Sequence, residues 1–327
     1  MSNEADGQKN KSDLGSNFCT DPNAPVVLVT GASTGLGLAL AQLLARANYR
    51  LILTARHTSM HRFAEAGLTE TSRVWLRSLD VTVADERHRS VAEASDRWGG
   101  VDVLINNAGV AYRSVVEHAS EEERFDQMNI NFQAPMAMIR LVLPGMREKQ
   151  RGRIINVSSV GGMMAMPTMA LYSASKFALE GATESLWYEV RPWNIKVSLV
   201  QPGFIHSESF QNTVYTAESR KAARDPSNPY YQHYFQMAGF IARLMGASFA
   251  TPEKVARKIL RTLEQKNPPL RVPATFDASF FALLRRLLPR NIYHRMLLRG
   301  LPRVKLWGPE PNRSPGGQTL PENKRSR

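Results

Sequence analysis

An α/β fold, a doubly wound parallel sheet of about seven strands with helices on both faces, is predicted by three features of the 327-residue chain. Short aliphatic or β-branched runs recur along it, each is followed by a stretch of helical periodicity, and a glycine-rich turn joins the first run to its helix. The runs fall at residues 26–29, 51–53, 74–76, 103–105, 154–157, 195–200 and 270–272. They are continuously apolar rather than alternating, as strands buried on both faces are. Helices between them imply right-handed crossovers and a parallel sheet. No repeat at solenoid or propeller period competes with this reading.

Composition fits one such domain with extensions. An apolar fraction of 43% and a charged fraction of 22% are ordinary for a globular chain that buries a core. The one cysteine, Cys19, excludes an intramolecular disulfide and fits a reducing compartment, so a cytoplasmic location is expected. Residues 1–24 read as a flexible polar tail without the apolar core of a secretory signal. No stretch has the roughly 18 uninterrupted apolar residues of a membrane span. Residues 25–275 are expected to form this domain.

After the first strand comes Thr30-Gly31-Ala32-Ser33-Thr34-Gly35-Leu36-Gly37, running into a helical pattern at 38–47. Glycines there let backbone N–H groups and the helix N-terminus approach a pyrophosphate, as in Rossmann-type dinucleotide folds. The spacing is Gly-x3-Gly-x-Gly rather than Gly-x-Gly-x-x-Gly. An NAD-selective site would place Asp or Glu at the end of the second strand, about 20 residues on. This chain has Arg56, whose charged fork suits a 2′-phosphate, while Ser33 offers a hydroxyl, so NADP(H) is favoured over NAD.

Further along, Asn107 follows the fourth strand in Asn106-Asn107-Ala108-Gly109, and Asn131 sits inside a helical pattern where Asn is intrinsically unfavourable. Ser159 ends the fifth strand, with Ser158 the nearest competitor, and a hydroxyl there can polarise a carbonyl. Tyr172 and Lys176, four apart, share one face at the start of the next helix. An ammonium beside the phenol is expected to lower its pKa toward working pH, as a general acid/base requires. Alone, Tyr-x3-Lys fits an incidental surface pair equally well.

Together these residues resemble the short-chain dehydrogenase/reductase family in its single-domain form, over about 25–273. Thr30-Gly-x3-Gly-x-Gly, Asp80, Asn-Asn-Ala-Gly at 106–109, Asn131, Ser159, Tyr172-x3-Lys176 and Pro202-Gly203 stand in family order. The resemblance implies a catalytic tetrad of Asn131, Ser159, Tyr172 and Lys176. Tyr172 would exchange the proton, Ser159 would bind the substrate oxygen, Lys176 would hold the nicotinamide ribose, and Asn131 would support a relaying water. It implies hydride transfer on the pro-S face and a cofactor-binding set of Gly31, Ser33, Thr34, Gly35, Leu36, Gly37, Arg56, Asp80, Asn107, Tyr172, Lys176, Pro202, Gly203, Ile205 and Ser207, with Ser207 standing where the family often has Thr. No metal is implied. Homodimers or tetramers through the helices of Asn131 and Tyr172 are common in the family.

Within the family, residues 159–167 and 172–181 are most similar to the hydroxysteroid and retinol dehydrogenases, which implies a hydrophobic steroid-, retinoid- or lipid-like alcohol or carbonyl. A long insertion at about 204–250 reads as a lid whose aromatics, Phe204, Phe210, Tyr215, Tyr230, Tyr231, Tyr234, Phe235, Phe240 and Phe249, either line that substrate's pocket or simply pack the lid. A helix then resumes, with Thr251 as N-cap, Pro252 in the first turn and Glu253 by the positive dipole end.

Residues 276–327 carry 11 Lys or Arg and three Asp or Glu, a balance of +8 out of a net +13. Within 276–300 the pattern is a basic amphipathic helical extension that either lies on an anionic membrane surface or closes the catalytic domain. Residues 301–327 read as a disordered basic tail. Nucleic acid is not the expected partner, because no zinc spacing, helix-turn-helix or RNA-binding aromatic motif accompanies the arginines. A non-catalytic nucleotide-sensing scaffold is the alternative class, and such degenerate relatives usually lose the Tyr or Lys retained here.

Overall fold

The computed structural model describes residues 21, 23–206 and 213–308, so Ser207 and Phe210 lie outside the described residues. Seven strands form one sheet: β1 (Val26–Val29), β2 (Arg50–Ala55), β3 (Val74–Ser78), β4 (Val103–Asn106), β6 (Gly152–Val157), β7 (Ile195–Gln201) and β9 (Arg271–Pro273). Their order is β3-β2-β1-β4-β6-β7-β9, every pairing parallel. The four residues of β1 and of β4 are fully buried, which explains why these runs have no polar alternation.

Helices α1 (Gly35–Ala45) and α9 (Pro252–Glu264) cover one face through Leu40, Leu44, Ile259 and Leu263. The other face is covered by α3 (Ala84–Trp98), α5 (Ala134–Glu148) and α6 (Ala170–Glu189), through Ala94, Met138, Val142 and Leu186. Short α2 (His61–Glu65) and α4 (Glu121–Met128) complete the connections, the latter opening on a Ser120/Glu123 capping box. Thr251 caps α9 as its sequence predicts, accepting from the Lys254 amide. Winding runs one way from β1 and the other way from β4, so the crevice for a ligand opens between their carboxyl ends.

Two strands escape sequence reading. β5 (Ala111–Arg113) and β8 (Thr213–Tyr215) pair in parallel beyond the carboxyl edge, each too short to show a pattern. The lid carries α7 (Ala217–Ala222) and α8 (Tyr231–Gly246). Two helices, α10 (Phe276–Leu287) and α11 (Arg290–Gly300), then fold back over the segment after Ser159, burying Tyr293 with Met163 and Met164. The expected disorder from residue 301 does not hold for 301–308: Val304–Leu306 make a 3-10 turn and the Trp307 ring lies 4.8 Å from that of His233. An aromatic contact to the lid supplies the anchor that composition did not reveal.

Candidate active site

The crevice is built from two turns pressed together. Thr30 Oγ1 accepts from the amides of Asn107 and Ala108, at 3.0 and 3.1 Å, while the Asn107 amide nitrogen donates to the carbonyls of Thr30 and Gly31. Gly31 has φ +64° and Gly35 φ +50°, conformations that favour glycine. A Cβ on Gly31 would stand 2.8 Å from Ala108 Cα, and one on Gly37 would overlap the Gly31 carbonyl oxygen. The glycines therefore bring the N-terminus of α1 onto the crevice, where Thr34 occupies the N-cap without a side-chain cap bond. Such a cradle fits a dinucleotide pyrophosphate.

Other predicted binding residues surround it. Arg56 is exposed at the end of β2 and Ser33 is buried in the turn. Asp80 lies two residues past the end of β3, its Oδ1 accepting from both the amide and the hydroxyl of Thr82. Asn107 is committed to holding the two turns together. Leu36, Gly203 and Ile205 line a cavity of ≈ 220 Å³ that also contains Ser159 and Tyr172. Pro202 stands beside it, its carbonyl accepting from the Val160 amide.

Helix α6 carries the centre. Tyr172 lies in its first turn, and Lys176, 5% exposed, places its ammonium 5.9 Å from the Tyr172 ring centre while donating to the Val157 carbonyl at 2.8 Å. Ser159 accepts from the Gly161 amide and faces Tyr172. Ser158 is instead committed to Glu180, at 2.7 Å. Asn131 is 1% exposed and sits in a π-turn, Asn129–Gln133, between α4 and α5. Its side chain accepts from the Val110 amide and donates to the Val110 carbonyl and Ser175 Oγ, which supplies the local reason for a mid-helix Asn.

The expected acidification of the phenol is not found. Burial pushes the Tyr172 pKa up, and the hydroxyl that draws it down is that of Ser159. The ammonium is tied to the Val157 carbonyl instead, and it is the lysine that is strongly shifted, lowered to about 8 by burial while Glu180 raises it.

Glu180 was missed by sequence reasoning. It is buried one turn past Lys176, accepts from Ser158 and Gln201, and lies 3.7 Å from Arg271, so it braces β6, β7 and β9 beneath the site. A carboxylate four residues after Lys176 on the buried face was the available sign. Arg113, buried in the cavity wall, was also missed. The lid aromatics mostly pack. Tyr234 accepts from the Val115 amide and Tyr230 donates to Glu117, while Phe249 is 89% exposed. Of the lid's aromatics, Phe204 lines the cavity, and Ile241, Met245, Met166 and Met169 supply the rest of its apolar wall.

The profile of the family described as short chain dehydrogenase matches residues 25–218. The chain belongs to the short-chain dehydrogenase/reductase family of oxidoreductases. It is 36% identical over 268 residues to a 3-ketodihydrosphingosine reductase of Bacteroides thetaiotaomicron, covering 82% of this chain and 94% of the relative. It is 33% identical over 284 residues to human retinol dehydrogenase 8, covering 84% and 90%. Among solved structures, a short-chain dehydrogenase from Streptomyces avermitilis superposes with TM-score 0.70 at 31% identity, over 85% of this chain and 99% of that one. One from Burkholderia cenocepacia, in complex with NADP, gives TM-score 0.62 at 25% identity, over 84% and 98%.

Proposed function

We propose that the protein interconverts a carbonyl and an alcohol on a hydrophobic, lipid-like substrate with NADP(H) as cofactor. The observation that carries this reading is the convergence of Ser159 and Tyr172 on one apolar cavity beside the glycine cradle, with Lys176 behind the phenol. Bound nicotinamide supplies or accepts the hydride. The chain's residues handle the oxygen and the proton: Ser159 donates to the substrate oxygen, and Tyr172, kept protonated by burial, gives its proton to the developing alkoxide.

Lys176, with a pKa of about 8, is suited to resupply that proton near neutral pH. Gly109 keeps the path open. A Cβ there would stand 3.2 Å from Asn131 Oδ1 and 3.8 Å from Lys176 Nζ, so its absence leaves room for a relaying water between the two. The exposed Arg56 supports NADP(H) over NAD(H), as does the NADP bound to the Burkholderia neighbour. The names of two relatives, a 3-ketodihydrosphingosine reductase and a retinol dehydrogenase, support the lipid-like substrate class.

No helix among the described residues is long and apolar enough to cross a membrane. Helix α10 nevertheless has two apolar faces. Phe281, Leu284 and Leu288 pack inward, while Phe276, Phe280, Leu283 and Leu287 form an exposed stripe at i, i+4, i+7 and i+11 beside Arg286. The inner face closes the catalytic domain, and the outer one is proposed to rest on an anionic bilayer. Oxidation of NADPH by the purified protein against ketosteroids, retinal, aliphatic aldehydes and β-ketoacyl compounds tests the function. Turnover of an apolar carbonyl is expected, and failure with all four classes overturns the reading. In fluorescence titrations, equal or tighter binding of NADH would refute the cofactor preference.

A further inference from the structure

We propose a second ligand site at the corner between α10 and α11, which takes an anionic amphiphile: a carboxylate or phosphate head on an apolar chain. A cavity of ≈ 470 Å³ lies there, walled by Met163, Met164, Phe177, Leu288 and Leu297. It shares no lining residue with the cavity that holds Ser159 and Tyr172. Its size falls in the range of roughly 300–1,000 Å³ that accommodates small organic ligands.

Polar groups inside it point to an anion. Tyr293 is 5% exposed, lines the cavity, and its hydroxyl has no hydrogen-bond partner among the described residues. A buried hydroxyl in an apolar wall calls for an acceptor. Arg290, also in the lining, opens α11. That helix starts from Pro289, which has no side-chain acceptor to cap it, and has no acidic residue in its first turn, so the positive end of its dipole is unopposed. Arg285 lies over the Phe177 ring and donates to the Met163 carbonyl through one of its several N–H groups. The one carboxylate between 276 and 308, Asp277, is at the far end of α10 and accepts from the Phe204 amide. A head group would thus meet a phenol, two guanidiniums and a helix N-terminus, and its chain would meet methionine and leucine.

Calorimetric titration of the intact protein with decanoate and decyl phosphate below micelle formation tests this. Both are expected to bind, and decanol and inorganic phosphate to bind at least about tenfold more weakly, because each lacks half of the recognition. Arg290→Gln should weaken decanoate by about tenfold. Tyr293→Phe removes one unpartnered oxygen, leaves the packing in place, and should weaken it several-fold. Tyr172→Phe should bind like wild type, which separates this site from the catalytic cavity and from the success or failure of the proposed activity. Absence of binding, decanol binding as well as decanoate, insensitivity to both Arg290→Gln and Tyr293→Phe, or loss in Tyr172→Phe would each overturn the proposal. Co-sedimentation with phosphatidylglycerol vesicles distinguishes the sources. A decrease in both variants identifies a lipid head group as the natural anion, and no change identifies a free amphiphile.

Discussion

The carboxyl edge of the sheet and the helical cap above it are built by opposite means. At the edge, the site rests on short local motifs, Gly31, Gly35 and Gly37 at the start of α1 and Tyr172 and Lys176 one helical turn apart. A few long bonds, such as that of the Asn107 amide to Thr30, dock them on one another. In the cap, the residues that act together are far apart. The Phe204 amide donates to Asp277, 73 residues on, Arg285 reaches the Met163 carbonyl across 122, and the Val115 amide finds Tyr234 across 119. On the proposed function, the edge holds the reacting groups, which any substrate of the reaction needs in one geometry. On the same proposal, the cap shapes what is admitted, and its long-range stitches stand apart from the reacting groups.

That contrast predicts chemical failure at the edge and selective failure in the cap. The largest effect is expected from Tyr172→Phe, which removes the proposed proton donor: turnover should fall by about 10³-fold while NADPH binding, read by fluorescence, stays near wild type. Near-normal turnover would break the comparison at its root. Lys176→Met should lower turnover by about 10²-fold and yet stabilise the fold, because the native state at pH 7 charges a buried amine whose pKa is about 8 instead of the ordinary 10.5.

The sign follows from proton counting. Below pH 8 both folded and unfolded chains carry the ammonium, and the burial penalty is complete. Between about 8 and 10.5 the unfolded chain holds the proton that the folded one has lost, so the wild type gains stability as pH rises. The variant's advantage, about 1–3 kcal/mol in denaturant melts at pH 7, should therefore shrink above pH 8 and vanish near 10.5. An advantage constant across that range would contradict the lysine's assigned burial cost.

Gly109→Ala sharpens the edge side of the comparison. A methyl beside Asn131 Oδ1 and Lys176 Nζ should displace a relaying water and lower turnover about tenfold, with little change in NADPH affinity or melting temperature. The smallest effect is expected in the cap. Asp277→Ala releases the Phe204 amide, and should raise KM for a bulky apolar carbonyl about three- to fivefold while leaving a short aldehyde nearly unaffected. Equal loss on both substrates would mean that the cap serves the chemistry too.

What could be read in the sequence divides along the same line. The seven sheet strands, the Thr251 cap and the glycine turn were legible because each follows from local sterics: apolar runs that must be buried, a hydroxyl able to cap, positions where a Cβ collides. Tyr172, Lys176, Ser159 and Asn131 were legible as members of a family pattern, and the structure brings them within one region. Glu180 showed only its spacing from Lys176, and Arg113 and Asp277 showed nothing, because their partners lie 21 to 106 residues distant; Arg113, for one, offers its carbonyl to Ser219. The phenol's shift was misjudged for a related reason. Spacing put the ammonium on the right face of the helix, but the Val157 carbonyl, at the end of β6, decides where it points.

The attachment of Phe204 has a practical consequence for anyone transplanting specificity between relatives. Its amide is held by Asp277 at the head of α10, and its carbonyl accepts from Ser248 at the end of the lid. A chimera that exchanges only residues 204–250 would arrive with half of its doorway missing, and one that exchanges only the last two helices would leave the other half behind. On the proposed function, the two segments are therefore best exchanged together, so that the acceptor at 277 and the backbone it holds arrive as a pair.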